Sequence, residues 1–375
     1  MSKYSKLLFS LFSISTAVVM ADQSNMQKQK PMPMQPQGVT TEPQGVITPP
    51  FGPRVQNGAD VFLTADFIWW KTHLGGMEYA IQGVKDTGLA NSLVVGAGTS
   101  TSQGRIAQPD FDFQPGFKVG AGLELAHDGW DLFAQWTWLS SENGKTSTEA
   151  ESGEGLSTAL PVYLADASVS NDPAVLFLSE ASSKWKQTFN VLDLEMGRNF
   201  FISKRLTLRP FFGLKAAWIK ETLKCNFEPL PSQVFQDITL SEAEQERKQK
   251  MWGIGIRGGL DTVWHFAKNW GAYGNFALTT LWSDFHCTLE DETTTLTGVE
   301  TENLDTRETI TEVIPVLEME LGLTWMTWFH NNDYMLQISA GWEEQVWMNF
   351  NHFVDTNRYG NLSTQGLTVK AEFAF

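Results

Sequence analysis

Two short acidic patterns in this sequence carry residue types that could activate water. Asp110 and Asp112 stand in PDFDF, and Asp284 with His286 stands in SDFHC. A carboxylate pair facing an Asp–His couple can serve as a general base, the imidazole taking the proton while the Asp orients the ring. Both patterns are short, and such spacings recur by chance in a chain with 43 acids, so no catalytic activity is assigned. The six His are scattered without metal-ligand spacing, and no metal or cofactor is expected. GIGIRGG (residues 253–259) lies inside a strand pattern and opens no helix. Phosphate cradling is therefore not its role; there the glycines allow bending or close packing.

A larger set of charges occupies alternate positions opposite apolar ones. The acids are Asp66, Glu124, Asp131, Asp193, Glu195, Asp261, Glu318, Glu320, Glu343 and Glu372, and the bases Lys118, Arg209, Lys215, Arg257 and Lys370. Carboxylates and cations interleaved in this way must face water or one another. Two arrangements satisfy them: a water-filled pore whose acidic excess prefers cations, or an interior filled by ion pairs and side chains.

The elements that position these charges are strands. Period-2 alternation, apolar on one side, recurs ten times. VFLTADFIWW comes first, with Val61, Leu63, Ala65, Phe67 and Trp69 on one face. WGIGIRGGLDTVWHF sets Trp252, Ile254, Ile256, Leu260, Trp264 and Phe266 against Arg257, Asp261 and His265. GLTVKAEFAF ends the series at Phe375. Strands of 9 to 13 residues with one unbroken apolar face exceed the ordinary length of about 5 to 6, and they fit a barrel whose outside is lipid. No apolar run of 18 residues lies outside the N-terminus, which excludes a spanning helix.

The connections alternate. HDG, NFFISKR, AKN and HNND are short, whereas residues 72–110, 140–184, 221–250, 283–313 and 343–365 are long and polar. Short turns on one side and long loops on the other are the habit of outer-membrane barrels. The fold expected is thus an all-β transmembrane antiparallel barrel of about ten strands. Twelve or more would result if the connectors 72–110 and 140–184 each hide a hairpin. Lipid cannot satisfy an open sheet edge, so the first and last strands must pair. Trp252 and Trp264 stand twelve residues apart, as do Trp270 and Trp282. Twelve residues tilted about 40° span roughly 30 Å, the hydrocarbon thickness, so these indoles are placed at the two interfaces.

Composition agrees. Charged residues make up 19%, below the usual ~25%, while Trp numbers 15 and Phe 25. Lys3 and Lys6, the apolar Leu7 to Met20 and a small-residue site at Ala21 read as a secretory signal peptide over residues 1–21. Residues 22–58 form a Pro/Gln-rich segment without hydrophobic period, and the barrel occupies 59–375. The net charge of −16 becomes −18 once the two signal-peptide lysines are gone, which argues against nucleic acid as a partner. Cys225 and Cys287, the only cysteines, fall beyond outer strand ends, where they either form a loop-to-loop disulfide or stay free.

The phrases ADVFLTADFIWWKT, GFKVGAGLELAHDGWDLFAQWTWLSS, VLDLEMGRNFFISKRLTLRPFFGLKAAWI and WGIGIRGGLDTVWHF resemble the major-outer-membrane-protein-like porins of chlamydia-like bacteria, with similar barrels in Legionella. The resemblance covers most of residues 60–375. It implies a surface-exposed, pore-forming outer-membrane protein of a kind that can form homo-oligomers. The cysteine-rich crosslinking of pathogenic chlamydial relatives is not matched by two Cys. The terminal Phe375 resembles the C-terminal signal read by the barrel-assembly machinery. Asp110, Asp112, Asp284 and His286 resemble in part the rim groups of omptin proteases, although the first pair falls in a different loop. The function expected is a porin in outer-membrane lipid, passing water, ions and small hydrophilic solutes. A surface structural or adhesin barrel with a plugged lumen is the alternative.

Overall fold

The structure is a computed structural model. It describes residues 59–84, 105–125, 129–150, 155–160, 162, 177–230, 234–235, 238–330, 333–354 and 360–375. These all belong to the second of two units of the chain, Val46–Phe375. The signal-peptide and Pro/Gln-rich assignments fall outside them.

Ten antiparallel strands close into a ring, numbered here as barrel strands: β1 Ala59–Leu74, β2 Phe113–Leu125, β3 Trp130–Glu142, β4 Phe177–Arg198, β5 Leu206–Pro229, β6 Ile238–His265, β7 Trp270–Thr295, β8 Glu300–Phe329, β9 Tyr334–Trp347 and β10 Leu362–Ala374. Each pairs with the next, and β1 pairs with β10, setting Leu63 opposite Phe373, Asp66 opposite Lys370 and Trp69 opposite Leu367. Backbone bonds between Val61 and Phe375 in both directions, 3.3 and 3.0 Å, extend the seam to the last residue. Closure leaves the ring no sheet edge, which lipid requires. No described helix is long and apolar enough to cross a membrane.

Among the described residues, the connectors 72–110 and 140–184 add no further strand to the ring. They contribute short strands at Ala80–Val84, Ile106–Ala107, Thr146–Glu149 and Gly155–Thr158, stacked along the outer end of β4. Two other expected loops are corrected. Residues 221–250 and 283–313 are mostly strand, because β5 to β8 run far past the Trp girdle, with their turns lying between Pro229 and Ile238 and between Thr295 and Glu300. Gly298, with φ +77°, takes the left-handed position in the second of these turns.

The extended parts resemble polar loops in sequence because their alternation is inverted. Between Trp218 and the short turns, β5 points Phe212 and Leu214 outward and Lys215 inward. Beyond Trp218 it points Ile219, Leu223 and Phe227 inward and exposes Lys220 and Lys224. The strand period is unchanged; the solvent on the outer face has changed from lipid to water, and the apolar face follows the dry side. The residues of β7 and β8 beyond Trp282 and Val313 project about 30 Å from the membrane surface.

Neighbouring strands approach closely on the lumenal side. A Cβ on Gly213 or Gly255 would collide with the carbonyl oxygen of Leu194 or Thr280 on the neighbouring strand. At these positions glycine lets the strands approach.

Candidate functional site: a charged lumen under an apolar plug

Within the membrane-spanning height, the charges named from the alternation point into the lumen and form two groups. In the first, Arg209 reaches from β5 to Asp131 on β3 (2.5 Å), Glu195 on β4 (3.2 Å) and Asp261 on β6 (2.7 Å). Lys215, fully buried, lies 2.7 Å from Asp193 and 3.0 Å from Glu318 on β8. Arg257 binds Glu195 and, at 2.8 Å, Glu318. Lys215–Asp193 and Arg209–Asp261 join opposed residues of neighbouring strands, whereas Arg209–Asp131, Lys215–Glu318 and the two Arg257 contacts each pass over at least one strand, so that the set ties β3, β4, β5, β6 and β8 together. Phe211 fills the gap between the guanidinium groups, 5.5 Å from Arg209 and 4.9 Å from Arg257, where its ring face attracts both cations.

The second group lies around the seam. Lys118 on β2 bonds both oxygens of Glu343 on β9, at 2.6 and 2.7 Å, and stands 4.8 Å over Trp70. Lys370 holds Glu372 at 2.8 Å, and Asp66 sits between Lys118 and Lys370 in the strand register. Gln135 donates to Asp66 at 3.1 Å. Glu320 accepts from Tyr273 at 2.6 Å and Asn275 at 3.1 Å. Glu124 is half-buried on the same face of β2. Between the groups a cavity of about 230 Å³ remains, lined from Asp66 and Lys118 down to Asn199, Thr207 and His265 near the short-turn end.

Above this belt the interior becomes apolar. Trp70, Trp185, Phe189, Leu223, Phe285 and Trp347 point inward with at most 1% exposure and form one continuous core. Connectors complete it. Tyr79, Phe111, Leu156 and Leu160 enter from the β1–β2 and β3–β4 sides. The β9–β10 connector folds back into the barrel as a strap carrying Phe350 and Phe353, with Phe350 packed 5.6 Å from Phe285. Gln249 donates to the Phe350 carbonyl at 3.1 Å, and Arg247 donates to that of Val354. Asn351 donates to the Gly75 carbonyl at 2.8 Å, and His352 meets Glu312 at 3.0 Å. Burial lowers the His352 pKa below the ordinary imidazole value. The charged cavity is therefore covered on its external side.

Several residues of this site are not among those that the alternation names. Trp70, Phe133 and Phe211 occupy the polar phase of their strands, and that phase was the available signal. The strap aromatics had none, since residues 348–354 lie outside the strands and carry no alternation of their own.

Cys225 and Cys287 are free, buried thiols inside β5 and β7, not loop residues. This corrects the disulfide alternative. β6 lies between them, Cys225 opposite Gln245 and Cys287 opposite Gln249. Two strand spacings, about 9.6 Å before any stagger, exceed the roughly 7 Å that a disulfide spans. Burial pushes both thiols up to about 12.

The water-activating patterns do not converge. Asp110 is held at the rim of β3 by Asn143 and Thr146. Asp284 and His286, 3.5 Å apart, point outward from β7 in step with Trp282, with Thr309 and Thr311 as neighbours. Trp252, Trp264, Trp270 and Trp282 are all outward and 38–51% exposed. Trp252 and Trp282 meet edge-on at 5.5 Å. Among the described residues no group of three or more His, Cys, Asp and Glu is placed to hold a metal ion.

Comparison with known proteins gives a family match over residues 53–375, to the model described as Legionella pneumophila major outer membrane protein precursor. No curated protein matches the chain. Among solved structures, the outer membrane protease OmpT of Escherichia coli aligns over 84% of this chain and 96% of its own, at 11% identity and a TM-score of 0.38. A major outer membrane protein of Thermus thermophilus aligns over 84% and 99%, at 8% identity and 0.32. The Pseudomonas putida toluene transporter TodX aligns over 85% and 90%, at 10% identity and 0.26.

Proposed function

Because the chain belongs to the Legionella major outer membrane protein family, an outer-membrane protein family, we propose that it is an outer-membrane channel that rests closed. The observation carrying this reading is the charged cavity of about 230 Å³ that reaches the short-turn end of the barrel and stops under the plug. Its walls suit hydrated ions and small polar solutes, and the excess of inward acids over inward bases favours cations. General diffusion through a permanently open lumen is not what this geometry supports. Passage requires the strap at 348–354 to leave the barrel, because it is a connector held by a few polar bonds and two Phe side chains, whereas the strands are locked into the ring.

A second reading has its own observation. The projecting strands β4 to β8 enclose a dry core like that of a water-soluble barrel, which suits a purely structural or adhesive surface protein. Planar-bilayer recording separates the two. The wild type is expected to give rare, brief steps. Phe350→Ala/Phe353→Ala, which removes the strap's apolar anchors, is expected to raise open probability about tenfold or more, since two buried Phe truncations each forfeit ~3–5 kcal/mol of the closed packing. Large, steady steps in the wild type would restore the open porin; silence in both proteins would favour the structural barrel.

A further inference from the structure

The outward face just above the Trp girdle carries a cationic row that the lumen does not explain. Lys220 follows Trp218 by two residues on β5, and Lys250 precedes Trp252 by two on β6; both are exposed. They are directly paired across the strands, and the register row continues from Thr188 through Lys220 and Lys250 to His286 and Thr309. Like charges directly opposite each other in a sheet repel, and no carboxylate stands in this row to separate them.

The neighbouring charges sharpen the contrast. Lys184 and Lys186 are engaged by Glu142 at 2.8 and 3.2 Å. Lys224 and Lys248 are engaged by Glu244, Glu246 and Glu290. Asp284 is turned to His286 and Thr311. These acids lie farther along the projecting strands, Asp284 excepted. In a chain of net charge −16, two opposed, exposed lysines at this height form a local site complementary to an anion.

The membrane supplies one at the right level. Two residues along a strand tilted about 40° place the ammonium groups roughly 5 Å beyond the indoles, where the phosphates of lipid headgroups begin. We propose that Lys220 and Lys250 clamp a phosphate of a phosphorylated glycolipid in the outer leaflet, with Lys186 and Lys248 close above and the Trp218–Trp252 pair against its acyl chains. The partner is identified by charge complementarity and by depth. The bound phosphate turns the lysine–lysine repulsion into two charge-assisted hydrogen bonds.

The test uses full-length refolded protein in a neutral detergent, with lipid A carrying two phosphates, its dephosphorylated form, and inorganic phosphate as probes. Binding is read from quenching of Trp fluorescence and from the heat-modification midpoint. The wild type is expected to bind the phosphorylated lipid about tenfold or more tightly than the dephosphorylated one. K220Q/K250Q is expected to lose that preference, and K220R/K250R to keep it. K204Q, on a short turn at the opposite end, serves as a control and leaves it intact. An unchanged preference in K220Q/K250Q overturns the proposal, as does a wild type blind to the lipid phosphates. Equal protection by millimolar inorganic phosphate would reassign the row to free anions. Heat modifiability verifies that each variant is folded, and K220Q and K250Q singly decide the matter if the double variant fails to fold.

Discussion

Glu221 lies three residues beyond Trp218, buried in the plug and held by Gln187 at 3.0 Å and Gln249 at 3.3 Å. Burial pushes its pKa from 4.5 up to about 8, so the folded protein keeps this proton at neutral pH. The folded value exceeds the unfolded one. Its contribution to stability is therefore complete below about 4.5 and lost as pH rises towards 8. Urea unfolding in detergent at pH 5 and pH 8 should show the wild type losing more stability over that interval than Glu221→Gln. Equal losses would remove Glu221 from the account. Lys215 makes a contrasting case in the lumen, where Lys215→Met leaves Asp193 and Glu318 facing each other with less compensation. A loss of ~3–5 kcal/mol is expected from breaking a buried pair by removing one partner. Restoring apolar character on all three side chains should recover much of it.

At the scale of the element, β6 shows one strand serving two solvents. Ile256 is 72% exposed between Trp252 and Trp264, whereas Gln249 and Arg247, beyond Trp252, are buried and Lys250 is exposed. Ile256→Lys should cost about 2–4 kcal/mol of folding into phosphatidylcholine vesicles, as for a cation near the midplane. Lys250→Ile should cost little, being outside the hydrocarbon. If the two substitutions cost the same, the girdle does not mark the membrane boundary. The ten ring strands were legible in the sequence because lipid demands unbroken outward apolarity. Their extensions were missed because that rule expires at the girdle, and a polar outer face over 221–250 looks like a loop when its inward Leu223 and Phe227 are not matched to partners.

At the scale of the whole molecule, the ring and the plug have different origins. Closure follows from the need of every strand edge for a partner, and the β1–β10 seam satisfies it with Asp66 opposite Lys370. The plug arises because a ring narrow enough for ten strands brings opposite walls within side-chain reach. Lys215 on β5 can touch Glu318 on β8, and connectors can bridge the mouth. If the channel opens, a potassium chloride gradient across a bilayer holding Phe350→Ala/Phe353→Ala should give a reversal potential on the cation-selective side. Glu195→Gln in that background should weaken the selectivity, and anion selectivity would contradict the acidic lumen.

The sequence by itself determined the strand period, the apolar outward face, the inward placement of the charges and the pairing of the first strand with the last. Each follows from local alternation or from the absence of backbone partners in lipid. Whether those charges face water or one another was decided only by the tertiary structure. That outcome depends on distances between residues far apart in the chain, such as Lys118 and Glu343 or Phe285 and Phe350. Alternation reports which way a side chain points. It carries no information on what the opposite wall holds.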